Sequence, residues 1–437
     1  MLLLIFSISI LNLPAQTEII VETTDDLIEV VANASSGDIL ILQPGIHKNN
    51  SDYIEINKSI TIKGAEGMAK PKLYFERFEL FGENITVNIE GLELSGADVD
   101  SITGIEDTIN LVSEYFISLH PDLISFGEIN VTNCVIRNLL VSVIRGDRAA
   151  YTGDGITFDG CVMYDVRDYY DNAYGPFRFN KNHKIASFTL KNSTIFNVVN
   201  RILDFENITG IHQDIEVDNC TFYNFGGKTD NRYLFDFKAN DDLNFKITDC
   251  IFGKTNNKAA DGVTDIVLKG FRFYADNDNP YLELLTTVFA PDFVLDGGLV
   301  EEINWDQKLY VEEDFDPQFA DPENGNFTLP EESPLLTYST EGGVIGDPRW
   351  EPISSVSNKA LIHRKAFEIF PNPADQIIKI RADESGYLNI YSITGAKIKE
   401  LHIHKGLNIV NINNITAGLY LITSGPQNKI IEKLVVR

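Results

Sequence analysis

The chain has 437 residues, with 36 Lys and Arg against 64 Asp and Glu, a net charge of −28. That acidity excludes a general nucleic-acid binder, whose phosphate contacts need a basic face, and argues against docking on anionic lipid. With 43% apolar residues the chain can bury a core, and its four Cys are too few for a disulfide scaffold. The first apolar run, Leu2 to Leu13, is shorter than the roughly 20 residues a membrane-spanning helix needs. With Pro14 and the small Ala15 behind it, the run predicts a signal peptide over 1–16. No later stretch is long and apolar enough to predict a transmembrane segment.

Thr24-Asp25-Asp26-Leu27 through Val31 predicts a short capping helix with acidic residues in its first turn. Gly37-Asp38-Ile39-Leu40-Ile41-Leu42 and Ser59-Ile60-Thr61-Ile62-Lys63-Gly64 follow as period-two strands. A repeat then decides the fold. Ile129–Leu139, Ile156–Val166, Phe188–Val198 and Ile215–Phe225 share one pattern, and Phe245–Phe252 keeps its first half. The equivalent positions Cys134, Cys161, Ser193, Cys220 and Cys250 are spaced by 27, 32, 27 and 30 residues. Such a period built of strands is one turn of a solenoid. In every copy the apolar alternation changes phase at an Asn, Gly or Asp, so the chain bends there and successive strands all point inward. The all-β fold predicted is a parallel β-helix over 17–350, with its cysteines as free thiols in one inward column. Asn138, Asp165, Asn197 and Asn224 would stack as a ladder at a second bend. The opening strings, with Phe315-Asp316-Pro317-Gln318-Phe319, Asn326-Phe327-Thr328-Leu329 and Gly346-Asp347-Pro348-Arg349-Trp350, resemble pectate-lyase-like and chondroitinase B-like β-helix proteins, in an uncharacterised Bacteroidota branch, and this resemblance implies a right-handed parallel β-helix.

A second strand set follows the Cys turns. Aligned, its outward column reads Arg145, Arg178, Asp204, Asp236, Arg272, and the column two residues on reads Asp147, Asn180, Glu206, Lys238, Tyr274. Turns lie about 5 Å apart, so these groups would form one compact charged patch. Such a patch suits acidic sugars. Uronate β-elimination needs a base, a clamp for the carboxylate and a proton donor. Lys238 is the candidate base, Arg178 and Arg272 the catalytic clamp, and Asp204 with Glu206 a Ca²⁺ site. Arg145, Asp236, Tyr174 and Tyr233 are candidate substrate contacts, and Tyr164, Tyr169, Tyr170 and Tyr223 lie nearby in sequence. Hydrolysis by Asp204 and Asp236 is a second chemistry, less favoured than elimination. A non-catalytic glycan-binding, adhesive or structural surface protein stays open beside both, as does a ladder of charges that only pairs turn to turn.

Glu351 to Ala366 reads as a polar linker. Phe367-Glu368-Ile369-Phe370-Pro371-Asn372-Pro373-Ala374 then opens a small β-sandwich over 367–437, with strands at 376–381, 387–392, 407–412, 420–423 and 430–436. With Leu388-Asn389-Ile390-Tyr391-Ser392, Thr394-Gly395 and Ala417-Gly418-Leu419-Tyr420, this unit resembles the C-terminal sorting domain of the type IX secretion system. The resemblance implies the secretion machinery as a partner, and release or anchoring at the outer cell surface via the periplasm.

Overall fold

The computed structural model describes residues 16–48, 53–100, 103–170, 174–229, 232–238, 242–273, 279–289, 304–305 and 316–352, then 367–370, 374, 376–382, 386–392, 396–404, 406–424 and 429–436. The expected signal peptide, most of the expected linker and Tyr274 lie outside these residues. Two compact units emerge, 1–353 and 354–437.

In the first unit the central turns each give one strand to each of three parallel sheets. Among the described residues the first sheet has eleven strands, from Glu18–Val21 to Asn304–Trp305; the second has nine, from Ile46–Lys48 to Val288–Phe289; the third has eight, from Ile54–Ile56 to Leu268–Arg272. This is the parallel β-helix the repeat implies, right-handed as the resemblance implies. Its first turn is closed by the helix Leu27–Asn33, whose Leu27 and Val31 are buried and whose Asp26 accepts from the Ile28 amide.

The bends have a plain cause. Asn133, Gly160, Asn192, Asn219 and Asp249 all have φ between 48° and 63°, where Gly, Asn and Asp cost least. One strand later, Asn138, Asp165, Asn197 and Asn224 repeat the device at φ 50° to 59°. Three of the four form the expected ladder: Asn224 donates to Asn197 at 2.7 Å, and Asn197 donates to Asp165 at 3.1 Å, while Asn138 donates instead to Ser95 at 3.1 Å. Asn197→Ala removes both bonds and leaves a β-carbon in left-handed backbone. We expect a loss of about 2 kcal/mol in urea denaturation; an unchanged midpoint would mean the ladder carries no stability.

The Cys column is fully buried and its thiols are free. Burial pushes the Cys134 thiol up to about 11 and Cys220 well above its usual range, so neither is a poised nucleophile. Beside them Phe222, Phe252 and Phe289 stack turn on turn, with centroids 4.5 and 5.0 Å apart. Residues 316–352 form a strap against the outer face of the second sheet. There Phe327 meets Phe196 and Tyr223, and Trp350 Nε1 donates to Thr194 Oγ1 at 2.6 Å.

The second unit has antiparallel sheets of three and four strands around Ile378, Ile380, Leu388, Ile390, Ile422 and Leu434. Strands Phe367–Phe370 and Lys397–Ile403 join the five expected from sequence.

Candidate functional site

The third sheet brings the predicted column together. Arg145 pairs in register with Arg178, Arg178 with Asp204, Asp204 with Asp236, and Asp236 with Arg272. Inward neighbours Phe177, Phe179, Phe205, Phe235 and Phe271 anchor these short strands in the core, so alternation fixes the charged residues outward. From the second column, Asp147 and Glu206 fold into the same network, while Asn180 and Lys238 are half-buried at its edge.

The charges are cross-linked into two groups. In one, Asp147 bridges Arg145 at 2.8 Å and Arg178 at 2.6 Å. Arg145 also donates to the Tyr115 hydroxyl at 3.1 Å, and the Arg178 guanidinium lies over the Tyr174 ring. In the other, Arg201 reaches Asp204, Glu206 and Asp236 at 2.9, 2.7 and 3.1 Å. Arg272 joins Glu206 at 2.9 Å and chelates Asp236, with its guanidinium 5.2 Å from the centre of the Tyr233 ring.

Burial is uneven across this face. Asp204 is 2% exposed and Asp236 is fully buried, whereas the Arg145 and Arg272 side chains keep 28% and 22% of their surface. Burial pushes the Asp204 carboxyl up to about 7; Arg201 opposes this, and Glu206 and Asp236 add to it. Asp236 is raised for the same reason, against the pull of Arg201 and Arg272. Burial would also raise Glu206, but Arg201, its hydrogen bonds and Arg272 hold it below its ordinary value. Asp204, Glu206 and Asp236 each offer an oxygen within 4.8 Å of the others, a spacing that could hold a metal ion. Asp204 Oδ1 is buried without a hydrogen-bond partner.

The aromatics divide between two faces. Tyr174 and Tyr233 flank the arginines as expected. Tyr164 instead stacks on Phe196 at 4.6 Å, and Tyr223 packs on Phe319 and Phe327, both on the second sheet at or beside the strap. Tyr169 and Tyr170 are exposed, and the Tyr170 hydroxyl is bonded to Glu114. Arg201 and Tyr115 escaped the sequence reading. The one signal for Arg201 is its place three residues before Asp204 and next to Asn200, a left-handed corner at φ 60°.

Comparison with known proteins adds to this picture. Residues 368–437 match the family described as a secretion system C-terminal sorting domain. The tail is a sorting domain. The chain is therefore exported, to the cell surface or into the medium, as its type IX-like strings imply. Residues 215–350, the last turns and the strap, match a domain of unknown function, DUF5123. No curated protein matches the chain. Among solved structures, the PL6 family alginate lyase AlyGC is 13% identical with a TM-score of 0.36, covering 63% of this chain and 39% of its own. Pectate lyase Pel9A is 10% identical with a TM-score of 0.35, covering 74% and 92%. This chain thus spans about two fifths of the length of that alginate lyase. Among the described residues no helix is long and apolar enough to cross a membrane.

Proposed function

We propose that this exported β-helix binds acidic, uronate-type polysaccharide on the outer face of its third sheet. One observation carries the reading. In a chain of net charge −28, this face gathers Arg145, Arg178, Arg201, Lys238 and Arg272 against Asp147, Asp204, Glu206 and Asp236. Because burial holds Asp204 near 7, part of that acid is neutral at physiological pH, and these groups carry a net positive charge. The exposed edges of Arg145 and Arg272 supply charge-assisted donors for carboxylates. The half-buried Tyr174 and Tyr233 rings beside the arginines give apolar faces to sugar rings.

Binding fits the geometry better than hydrolysis. An acid–base pair must reach the substrate, and Asp204 and Asp236 are buried under Arg201 and Arg272. For elimination, Lys238 would be the base, with Arg178 and Arg272 as the clamp. Asp204, Glu206 and Asp236 are three hard oxygen donors that would hold Ca²⁺, and the ion would supply positive charge only where it displaced Arg201 and Arg272, which already stand between these acids. The test is affinity electrophoresis on uronate and neutral polymers, with and without Ca²⁺, alongside ultraviolet detection of unsaturated product. Retardation by uronates alone, weakened by salt and without product, is the expected result. Unsaturated product would replace binding by β-elimination, and equal migration on every polymer would remove the reading.

A further inference from the structure

A groove of about 540 Å³ lies between the outer face of the first sheet and the strap. Its composition is the reverse of the third sheet's. Glu216, Asp218, Asp249 and Glu341 line it, and Lys246 is the one cation among the described lining residues. Asp218 and Thr248 are partners on adjacent turns, and Asp249 follows Thr248 at the left-handed corner, so three oxygen-bearing side chains meet where strand turns into bend. The strap joins them there: Asp249 accepts from the Thr340 amide at 2.8 Å and from its hydroxyl at 2.7 Å.

Two independent features point to a ligand. Thr248 is only 6% exposed, lines the groove, and its hydroxyl oxygen has no hydrogen-bond partner. Such a buried orphan is costly unless something occupies its lone pairs. The second is a shortage of positive charge: among the described lining residues Lys246 is the cation that faces Asp218 and Asp249, and it is itself paired with Glu216 at 3.8 Å. Burial pushes the Asp218 carboxyl up to about 6, with Glu216 and Asp249 adding to the effect, and Asp249 is raised as well.

We propose that this groove holds a hard divalent cation, Ca²⁺, on Asp218, Asp249 and the Thr248 hydroxyl, pinning the strap to the first sheet. Carboxylate oxygens keep lone pairs beyond the hydrogen bonds they accept, so Asp249 can bind Thr340 and an ion together. The acids converge less tightly than Asp204, Glu206 and Asp236. That suits an ion taking six to eight oxygens, in which waters complete the shell. Extracellular modules bind Ca²⁺ with dissociation constants of roughly 10⁻⁴–10⁻³ M, a range that fits an exported chain.

The experiment is calorimetric titration of the full chain with CaCl₂ alone, paired with melting in CaCl₂ and in EDTA. Saturating Ca²⁺ should raise Tm by about 3 °C or more. Asp218→Asn should weaken that binding about tenfold or more and abolish the shift, while Asp265→Asn, at an exposed acid paired with Lys258 and outside both acidic clusters, keeps both. Thr248→Val, which keeps the shape and removes the oxygen, should weaken binding several-fold even if Asp218→Asn folds poorly. No heat and no shift would overturn the proposal. So would a Ca²⁺ response kept in Asp218→Asn and Thr248→Val but lost in Asp204→Asn, which would assign the ion to the third sheet.

Discussion

Arg201→Met should cost the first unit about 3–5 kcal/mol, the usual penalty for breaking a buried ion network from one side. The guanidinium touches Asp204, Glu206 and Asp236 at 2.7–3.1 Å, and two of those acids are almost wholly buried. Without it, Arg272 remains to offset Glu206 and Asp236, and Asp204 loses the cation that opposes its desolvation. Asp204 then stays protonated to higher pH. The sign matters. Its folded pKa already lies above its unfolded value, so the folded chain binds the extra proton between about 4 and 7 and loses stability as pH rises through that window. Adding Asp204→Asn to Arg201→Met should recover part of the loss by removing the uncompensated acid. Urea denaturation of the single and double variants measures both effects. A loss below about 1 kcal/mol would put Arg201 in the class of exposed surface pairs.

His183→Leu should change the acid limb of the stability curve by about 4 kcal/mol between pH 7 and pH 3. His183 lies in the bend between the third and first sheets, fully buried, with its ring edge-on to Phe179 and Phe205 at 5.5 and 5.6 Å. Neither ring nitrogen has a hydrogen-bond partner. Burial pushes its pKa down to about 3, and the nearby Phe179 backbone opposes this only in part. Below about 6.5 the unfolded chain takes up a proton that the folded chain refuses. Stability is therefore complete above that pH and falls progressively toward 3. The leucine variant lacks this loss, and it gains further at pH 7 by removing two unpaired nitrogens. Denaturation of both proteins across the range is the measurement. Parallel curves would mean that the imidazole finds a partner when charged.

How far the sequence reaches follows from what repeats. The inward columns, the left-handed bends and the third sheet's outward charges recur once per turn, so aligning the copies exposes them. Arg145, Arg178, Asp204, Asp236 and Arg272 were legible because each sits between two apolar residues or at a strand end in equivalent positions. Arg201 is not in a strand and has no equivalent in other turns, yet it joins three acids from two turns. Tyr164 and Tyr223 also look outward by alternation. Period-two reasoning says which side of a sheet a residue takes, and it cannot say that a strap from residues 316–352 covers part of the second sheet's outer face. In the tail, Lys397–Ile403 is not legible because Lys397, the exposed Ile398 and Lys399 break the alternation that the buried Leu401 and Ile403 keep. The groove under the strap was illegible for a similar reason. Asp249 and Thr340 are 91 residues apart, and nothing local marks them as partners.

If the third sheet's outer face engages an acidic polysaccharide, its partly exposed arginines must carry the affinity. Calorimetric titration of a uronate polymer into the full chain, Arg145→Ala, Arg272→Ala and Lys254→Ala tests it most directly. Lys254 is an exposed cation on the second sheet, paired with Glu323 at 2.8 Å, and serves as the charge-matched control. Removing Arg145 or Arg272 should weaken binding about tenfold, while Lys254→Ala leaves it unchanged. Equal affinity in all four proteins, or the same loss in all three variants, would contradict the assignment of the site to this face.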